Sequence, residues 1–577
     1  MGFFYLRRSD APGPNEGWWA AHARHGFGRV LDLEADGWRL RVAGKLNGLG
    51  PHCVRRETGE FAACTGVFFY RGRRFEPGLD LLLEEFDGRS FPWADCRGHY
   101  AVILFKGGRL WVASDELGAY KVYRDEAGTR LSSSFSAVRA SLASVRPDVQ
   151  GVYEYAINGA TYGEKTFLRE VRQQRWGSLY AIEATARLAA SAPVLDIGVP
   201  SPPSLDAAAE EYAARLRALF KVYAAGGGRF HTALSGGYDS RLMLALLLDA
   251  GLDPTLYVYG DEDDGDVRVA KQIAAGEGLR LDHVDKTFQG VAADRRGWAV
   301  ERTWARFDAW KNDGLFDNGA DAADRLQRAP AGVSVLNGSA GESFRNFFYL
   351  SEGRYRPEEI VWTFYWRIDP AELTDRFDAR DYSTAMAEEM RLALPEPFRA
   401  DPLERAAVEA LYPLHRVRYW TGRDTGLNQR FGPLLFPFME PSVIAGTERI
   451  PMAFKDYGRL ESRITERIWP KLAHYPTVYG FVPADGAPVA YRLKMQLSLR
   501  RPPWLRRHSY LVHRRRSPAL VQPSWLAESI VAAGLDPRLP AMGEFFRVDR
   551  IRSADVYNRV ATMESAFRGP PAAASAG

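Results

Sequence analysis

Cysteine is scarce in this chain, with three in 577 residues. They stand at Cys53, Cys64 and Cys96, an odd number without CxxC spacing. That pattern indicates neither a disulfide framework nor a cysteine-built zinc site, and a reducing, cytoplasmic setting fits it. Long apolar runs are missing too. A membrane-spanning helix needs about 20 consecutive apolar residues, and no such stretch occurs. The opening run from Phe3 to Leu6 is too short for a secretory core, and Leu6 stands where N-myristoylation wants Ser or Thr. The 10 histidines contain no HExxH, and there is no GxxxxGK[ST] loop. Nor is one sign of charge in excess. A net charge of +4 calls for neither a nucleic-acid nor a membrane partner.

What is present is a globular composition: 46% hydrophobic and 26% charged residues. At roughly 150 residues per domain the length allows several domains. Residues 1–192 hold short apolar runs broken by Gly and charge, such as Gly66-Val67-Phe68-Phe69-Tyr70, His99 through Phe105, and Arg109 through Ala113. These predict β-strands, and Lys106-Gly107-Gly108 predicts a hairpin turn between the last two. Pro200-Ser201-Pro202-Pro203 marks a linker, 193–204, after which Ser204 can cap a helix over 205–224. Strands at His231–Leu234, Thr255–Tyr259, 280–284 and 332–336 then alternate with helices at 241–249 and 267–275, the signature of a parallel, doubly wound sheet. The helical stretch 355–468 is rich in Trp, Tyr and Arg. Residues 491–577 form a basic extension whose 570–577 end is of low complexity and predicted disordered.

The chemistry is carried by Ser235-Gly236-Gly237-Tyr238-Asp239-Ser240, set between a strand and a helix. Two glycines let backbone N–H groups approach an oxyanion without a Cβ in the way. The helix start offers unpaired N–H donors and partial positive charge. Ser235 and Ser240 add hydroxyls, and Asp239 supplies a carboxylate able to hold Mg²⁺ against phosphates.

This loop resembles SGGxDS of the ATP pyrophosphatase superfamily, and more of the chain is similar to one of its families: glutamine-dependent asparagine synthetase with its β-lactam synthetase and lasso-peptide cyclase relatives. Gly98-His99-Tyr100-Ala101-Val102, the segment from Ala113 to Tyr123, and Ser132 through Val138 resemble that family's N-terminal glutaminase segments. Val335-Leu336-Asn337-Gly338-Ser339-Ala340-Gly341-Glu342 resembles LxGxGxDE, and Pro437-Phe438-Met439-Glu440 resembles PFLD, followed by Pro451 and Lys455. The resemblance implies an α+β glutaminase-like N-terminal domain (1–192) and an α/β pyrophosphate-loop synthetase domain with a parallel sheet (205–490). It implies nucleotide contacts at Ser235, Gly236, Gly237, Tyr238, Asp239, Ser240, Val258, Gly260 and Gly338. It also implies Mg²⁺ on Asp239 and Glu342, and ATP-driven ligation of a carboxylate to an amine through acyl-AMP. Asp266 aligns with an acid at the head of a helix.

Two departures stand out. The family's glutaminase nucleophile is Cys at position 2 with its α-amine as base, whereas this chain has Gly2, so no glutamine hydrolysis is expected. The family's lysine before a late Gly is absent from Pro476-Thr477-Val478-Tyr479-Gly480, which leaves Lys455, Lys471, Lys494 or Arg345 as replacements. The expected partners are a small-molecule or peptide carboxylate and an amine, with no nucleic acid and a possible homodimer. The alternatives are a pyrophosphate-loop tRNA-modifying enzyme, for which the Arg500 to Arg516 run speaks, and a non-catalytic nucleotide-binding protein.

Overall fold

The N-terminal strands stack as two six-stranded antiparallel sheets. One runs Val171–Gln173, Tyr123–Asp125, Arg130–Ser132, Phe3–Arg8, Trp38–Ala43, Arg29–Ala35; the other runs Ala186–Ser191, Ser178–Ile182, Arg109–Ser114, Tyr100–Lys106, Phe61–Gly66, Cys53–Arg55. Strand alternation decides what each face buries. Phe4 and Leu6 point inward with Ala63, Ile103 and Val112, whereas Phe3 and Tyr5 point outward onto Trp18 and Trp19 of helix Glu16–Arg24. On the far side, Ala62, Cys64, Val102 and Leu104 meet Leu79, Leu82 and Leu83 of helix Glu76–Glu85. Both faces of the inner strands are covered, which is why Tyr100–Lys106 and Arg109–Ser114 read as continuous apolar runs.

The predicted hairpin closes with Lys106 opposite Arg109, and Gly107 and Gly108 at φ 58° and 73° supply the two left-handed residues that a tight turn needs. One expected strand is corrected. The run Gly66 to Tyr70 is not a single strand: Gly66 turns out of Phe61–Gly66 at φ 87°, and Phe69–Tyr70 joins a separate three-stranded sheet. The computed structural model describes residues 1–48, 50–195, 200–284, 300–317, 319–367, 369–516 and 524–569. Part of the expected linker (196–199) and the expected disordered end (570–577) lie outside them.

Ser204 caps helix Leu205–Ala225 by accepting from Ala207 N–H at 3.1 Å. A five-stranded, all-parallel sheet follows, ordered Leu281–Val284, Thr255–Tyr259, Arg229–Ala233, Val333–Leu336, Leu434–Leu435. The chain is thus α+β, with antiparallel sheets followed by a parallel one. Chain order runs outward in one direction from Arg229–Ala233 and then resumes on its other side at Val333–Leu336. The crevice between these two strands is the topological switch point, where open α/β sheets bind ligands at strand C-termini.

Buried polar contacts fasten the two halves together. Asp308 accepts from Phe135 N–H (2.8 Å), Ser136 Oγ (2.8 Å) and Arg423 (3.0 Å). Glu440 accepts from Gly98 N–H and Tyr223 Oη, both at 2.8 Å. The C-terminal segment is woven in as well. Asn558 and Thr562 of helix Ala554–Arg568 accept from Phe316 N–H (2.9 Å) and Leu315 N–H (2.7 Å), while Arg139 donates to Ala566 O at 2.8 Å. Among the described residues no helix is long and apolar enough to cross a membrane.

Candidate functional site

The strand Arg229–Ala233 delivers the loop 235–240 to the switch point. Helix Asp239–Asp249 begins two residues earlier than the sequence predicts, so Asp239 and Ser240 belong to its first turn, and no side chain caps it. Its first N–H groups therefore face the loop without a side-chain acceptor. Inside the loop, Ser235 N–H donates to Ser240 Oγ (3.0 Å), the two serine hydroxyls lie 2.9 Å apart, and Gly237 N–H reaches Ser235 Oγ (3.3 Å). Gly236 N–H donates to Asp266 Oδ1 at 2.7 Å, which gives the helix-head acid a definite place. A Cβ on Gly236 would meet Val478 Cβ at 2.8 Å; one on Gly237 would meet only Ser235 Oγ, at 3.4 Å.

The second loop leaves Val333–Leu336 and folds onto Asp239. Gly338 packs against the Asp239 backbone, and a Cβ on Gly341 would lie 1.9 Å from Asp239 Oδ1. Glu342 follows and accepts a hydrogen bond from Tyr412 Oη at 2.6 Å. Arg345 stands between the acids: 2.5 Å from Asp239 Oδ2, 3.7 Å from Glu342 and 3.1 Å from Glu461. The structure thus brings Asp239 and Glu342 to one place, as the sequence predicts, and adds three residues that sequence reasoning did not assign there: Glu461, Tyr412 and the pairing role of Arg345.

The acids crowd one another. Burial raises Asp239 above the usual carboxylate range, with Arg345 pulling it down and Glu342 pushing it up. Burial, then the neighbouring Asp239 charge, holds Glu461 well above its ordinary value. Arg345 is pulled down by burial but held well above its usual value by Asp239 and Glu461. The four candidate cations are now distinguished by position. Lys455 is buried against Glu409 at 2.5 Å, Lys471 sits on Gly276 O and Glu277, and Lys494 lies exposed on helix Val489–Leu499. Only Arg345 of the four touches the loop aspartate.

Mg²⁺ fits this donor set. Asp239 Oδ1 is buried without a hydrogen-bond partner and is a hard oxygen donor, while Oδ2 of the same carboxylate is held by Arg345. Among the described residues no group of three His, Cys, Asp or Glu side chains forms a metal cage, so an ion here would complete its shell with phosphate oxygens and water, as Mg²⁺ commonly does.

A cover lies over the loop. Val478 N–H donates to Gly236 O (3.1 Å), and the Tyr479 ring stacks on Tyr238 at 5.4 Å. Arg241, buried on the phosphate-loop helix, holds that cover by donating to Tyr475 O (2.7 Å) and Pro476 O (2.6 Å). Tyr238, Arg345, Tyr457, Tyr479, Tyr491 and Met495 enclose a cavity of about 50 Å³ beside it. Of the remaining predicted residues, Val258 is buried within the sheet opposite His283, and its side chain belongs to the hydrophobic core. Gly260 leaves that strand at φ 133°, its carbonyl 2.8 Å from His283 Nε2.

At position 2 the geometry is closed. Gly2 N–H donates to Ala43 O at 2.8 Å, and a Cβ there would meet Gly44 O at 2.5 Å. The backbone as it stands has no room for a cysteine side chain. Cys64 is buried and pushed up to about 12 by burial, Cys96 likewise, so neither is a poised thiolate.

No protein-family model matches this chain, and no curated protein does. Solved structures give distant likenesses. NMN synthetase from Francisella tularensis is 17% identical over 24% of this chain and 57% of that one, with a TM-score of 0.17. The allosteric regulatory enzyme of purine biosynthesis is 10% identical over 49% and 80%, at 0.23. Glutamine phosphoribosylpyrophosphate amidotransferase from B. subtilis, complexed with ADP and GMP, is 11% identical over 60% and 77%, at 0.21. The chain therefore spans little more than half the length of the first of these. Scores this low do not establish a shared fold, and neither the fold nor the site rests on them.

Proposed function

We propose that the chain is an ATP-dependent carbon–nitrogen ligase of asparagine synthetase type: it activates a carboxylate as acyl-AMP with release of pyrophosphate and passes the acyl group to an amine. The observation that supports this most is the convergence, at the switch point, of a glycine loop with free helix N–H donors, Asp239, Glu342 and Arg345.

In this reading the Gly236 to Ser240 backbone holds the phosphates in line for attack. A substrate carboxylate oxygen bonds to the α-phosphorus as the bond to the leaving pyrophosphate breaks. Arg345 faces the developing negative charge with donors already in place, the arrangement that lowers such a barrier most. Mg²⁺, when bound by Asp239 and Glu342, supplies charge neutralisation on the phosphates. The Tyr238–Tyr479 stack and the 477–481 cover exclude water from the mixed anhydride. An amine then attacks the acyl carbon, the C–N bond forms and AMP departs with the former carboxylate oxygen. The amine comes from a substrate or free ammonia, since Gly2 provides no glutaminase nucleophile.

Within the basic run Arg506 is buried, donating to the carbonyls of Phe348 (3.0 Å), Tyr349 (2.5 Å) and Ser498 (3.1 Å), so this arginine serves the fold. The test is ATP–pyrophosphate exchange across a panel of carboxylates. At least one acid should support exchange in the wild type, and Asp239→Ala should abolish it; equal exchange in that variant overturns the proposal.

A further inference from the structure

Beyond the phosphate loop, two segments of wide, π-type helix, Val361–Tyr365 and Tyr412–Thr421, lie side by side. Such turns are rare and concentrate at functional sites. Here they frame one cavity of about 260 Å³, lined by Phe364 from the first, Arg367 just beyond its end, Arg416 and Trp420 from the second, and Asn158 and Arg559 from neighbouring helices. Arg416 is the informative residue. Its guanidinium lies 4.2 Å from the Trp420 ring centroid and 5.4 Å from that of Phe364, and among the described residues it makes no ion pair. Arg559 is already committed to Asn312 O (2.7 Å) and Ala156 O (3.2 Å), with Asp313 at 3.9 Å. Asp313 and Asp555 also line the cavity, on the side of Arg559.

The cavity is joined to the phosphate loop by a row of aromatic rings. Glu342 takes a hydrogen bond from Tyr412, whose ring lies 4.1 Å from Phe347, which in turn lies 4.7 Å from Phe364. Tyr412, Arg416 and Trp420 follow one another at intervals of four along the same segment, so each stands about one turn further along it from the Tyr412 contact to Glu342.

We propose that this cavity binds a planar carboxylate, with its ring beside Phe364 and Trp420 and its carboxylate on the guanidinium edge of Arg416. A guanidinium held by aromatic stacking presents its N–H edge in the fork that matches a carboxylate, and rings beside it supply apolar contact. In the ligase this group is the far end of the substrate whose other acid is activated, with Arg416 about one helical turn beyond Tyr412 and its contact to Glu342; that identification rests on the proposed activation chemistry, whereas the binding site itself does not.

The test uses the full chain, 2-naphthoate as probe and 2-naphthamide as its neutral isostere, with Kd from calorimetry. Naphthoate should bind the wild type at least tenfold more tightly than naphthamide. Arg416→Gln should lose that preference, Arg416→Lys should retain part of it, and Trp420→Leu should weaken both probes. Asp239→Asn should leave naphthoate binding unchanged. Equal affinity for the two probes, or unchanged naphthoate binding in Arg416→Gln, overturns the proposal. If Mg-ATP fails to bind the wild type while the naphthoate results hold, the activation reading falls and the carboxylate site stands.

Discussion

Gly341→Ala isolates the geometry of Asp239 without altering a single charge. The new Cβ would lie 1.9 Å from Asp239 Oδ1, whereas ordinary contact begins at 3.4 Å, so one of the two must retreat by the difference, 3.4 − 1.9 = 1.5 Å. Gly341 is buried, and its neighbour Glu342 is held by Tyr412 at 2.6 Å, so the loop has little freedom to give way. Asp239 must yield, and its 2.5 Å pairing with Arg345 goes with it. A misplacement of about 1 Å at a reacting centre costs on the order of 10²-fold in rate, or about 2.7 kcal/mol. The assay is ATP–pyrophosphate exchange at saturating acid, beside a melting curve. Gly426→Ala is the matched control: it sits in helix Gly422–Phe431 with nothing within 4 Å of the new methyl, and should stabilise the fold by about 0.5–1 kcal/mol with exchange unchanged. Exchange in Gly341→Ala within about twofold of wild type, where the misplacement should cost on the order of 10²-fold, would refute the assignment of Asp239 to the phosphates.

Glu461→Gln tests the crowded acids. Glu461's raised folded value means that its contribution to stability is full below the unfolded glutamate pKa and is lost as pH rises through the folded value. The melting temperature of the variant should therefore gain on wild type as pH rises from mildly acidic to alkaline; a gap independent of pH would contradict the crowding. Arg506→Ala should strip charge-assisted donors from the carbonyls of Phe348 and Tyr349, at about 2–3 kcal/mol. Hydrogen exchange over 342–350 should accelerate at least tenfold, and unchanged protection there would show that the C-terminal helices do not brace the site.

What the sequence made legible was local. The loop at 235–240 announces itself because two glycines, two hydroxyls and an acid fall within six residues between a strand and a helix. Asp239 and Glu342 could be paired because each ends a recognisable strand-to-loop motif. Glu461 could not: it lies on helix Arg459–Ile468, whose pattern is simply amphipathic, and only tertiary folding brings it to Arg345. Arg345 stood as one cation among four until the fold buried Lys455 against Glu409 and turned Lys471 toward Glu277. The strand Leu434–Leu435 is two residues long, too short to carry periodicity. In the basic extension, composition does not show that Arg506 uses its charge on backbone carbonyls. Gly66 shows the reverse case, where a left-handed turn inside an apolar run divides one expected strand into two.

The central claim is that nucleotide phosphates sit against the glycine loop at the uncapped start of helix Asp239–Asp249, and Gly237→Ala tests it most directly. In the free protein the added methyl would meet only Ser235 Oγ at 3.4 Å, so the variant should melt as the wild type does. Calorimetric titration of Mg-ATP should show saturable binding to the wild type and at least tenfold weaker binding to the variant. Equal affinity in the two proteins, or no binding to the wild type, would contradict the account.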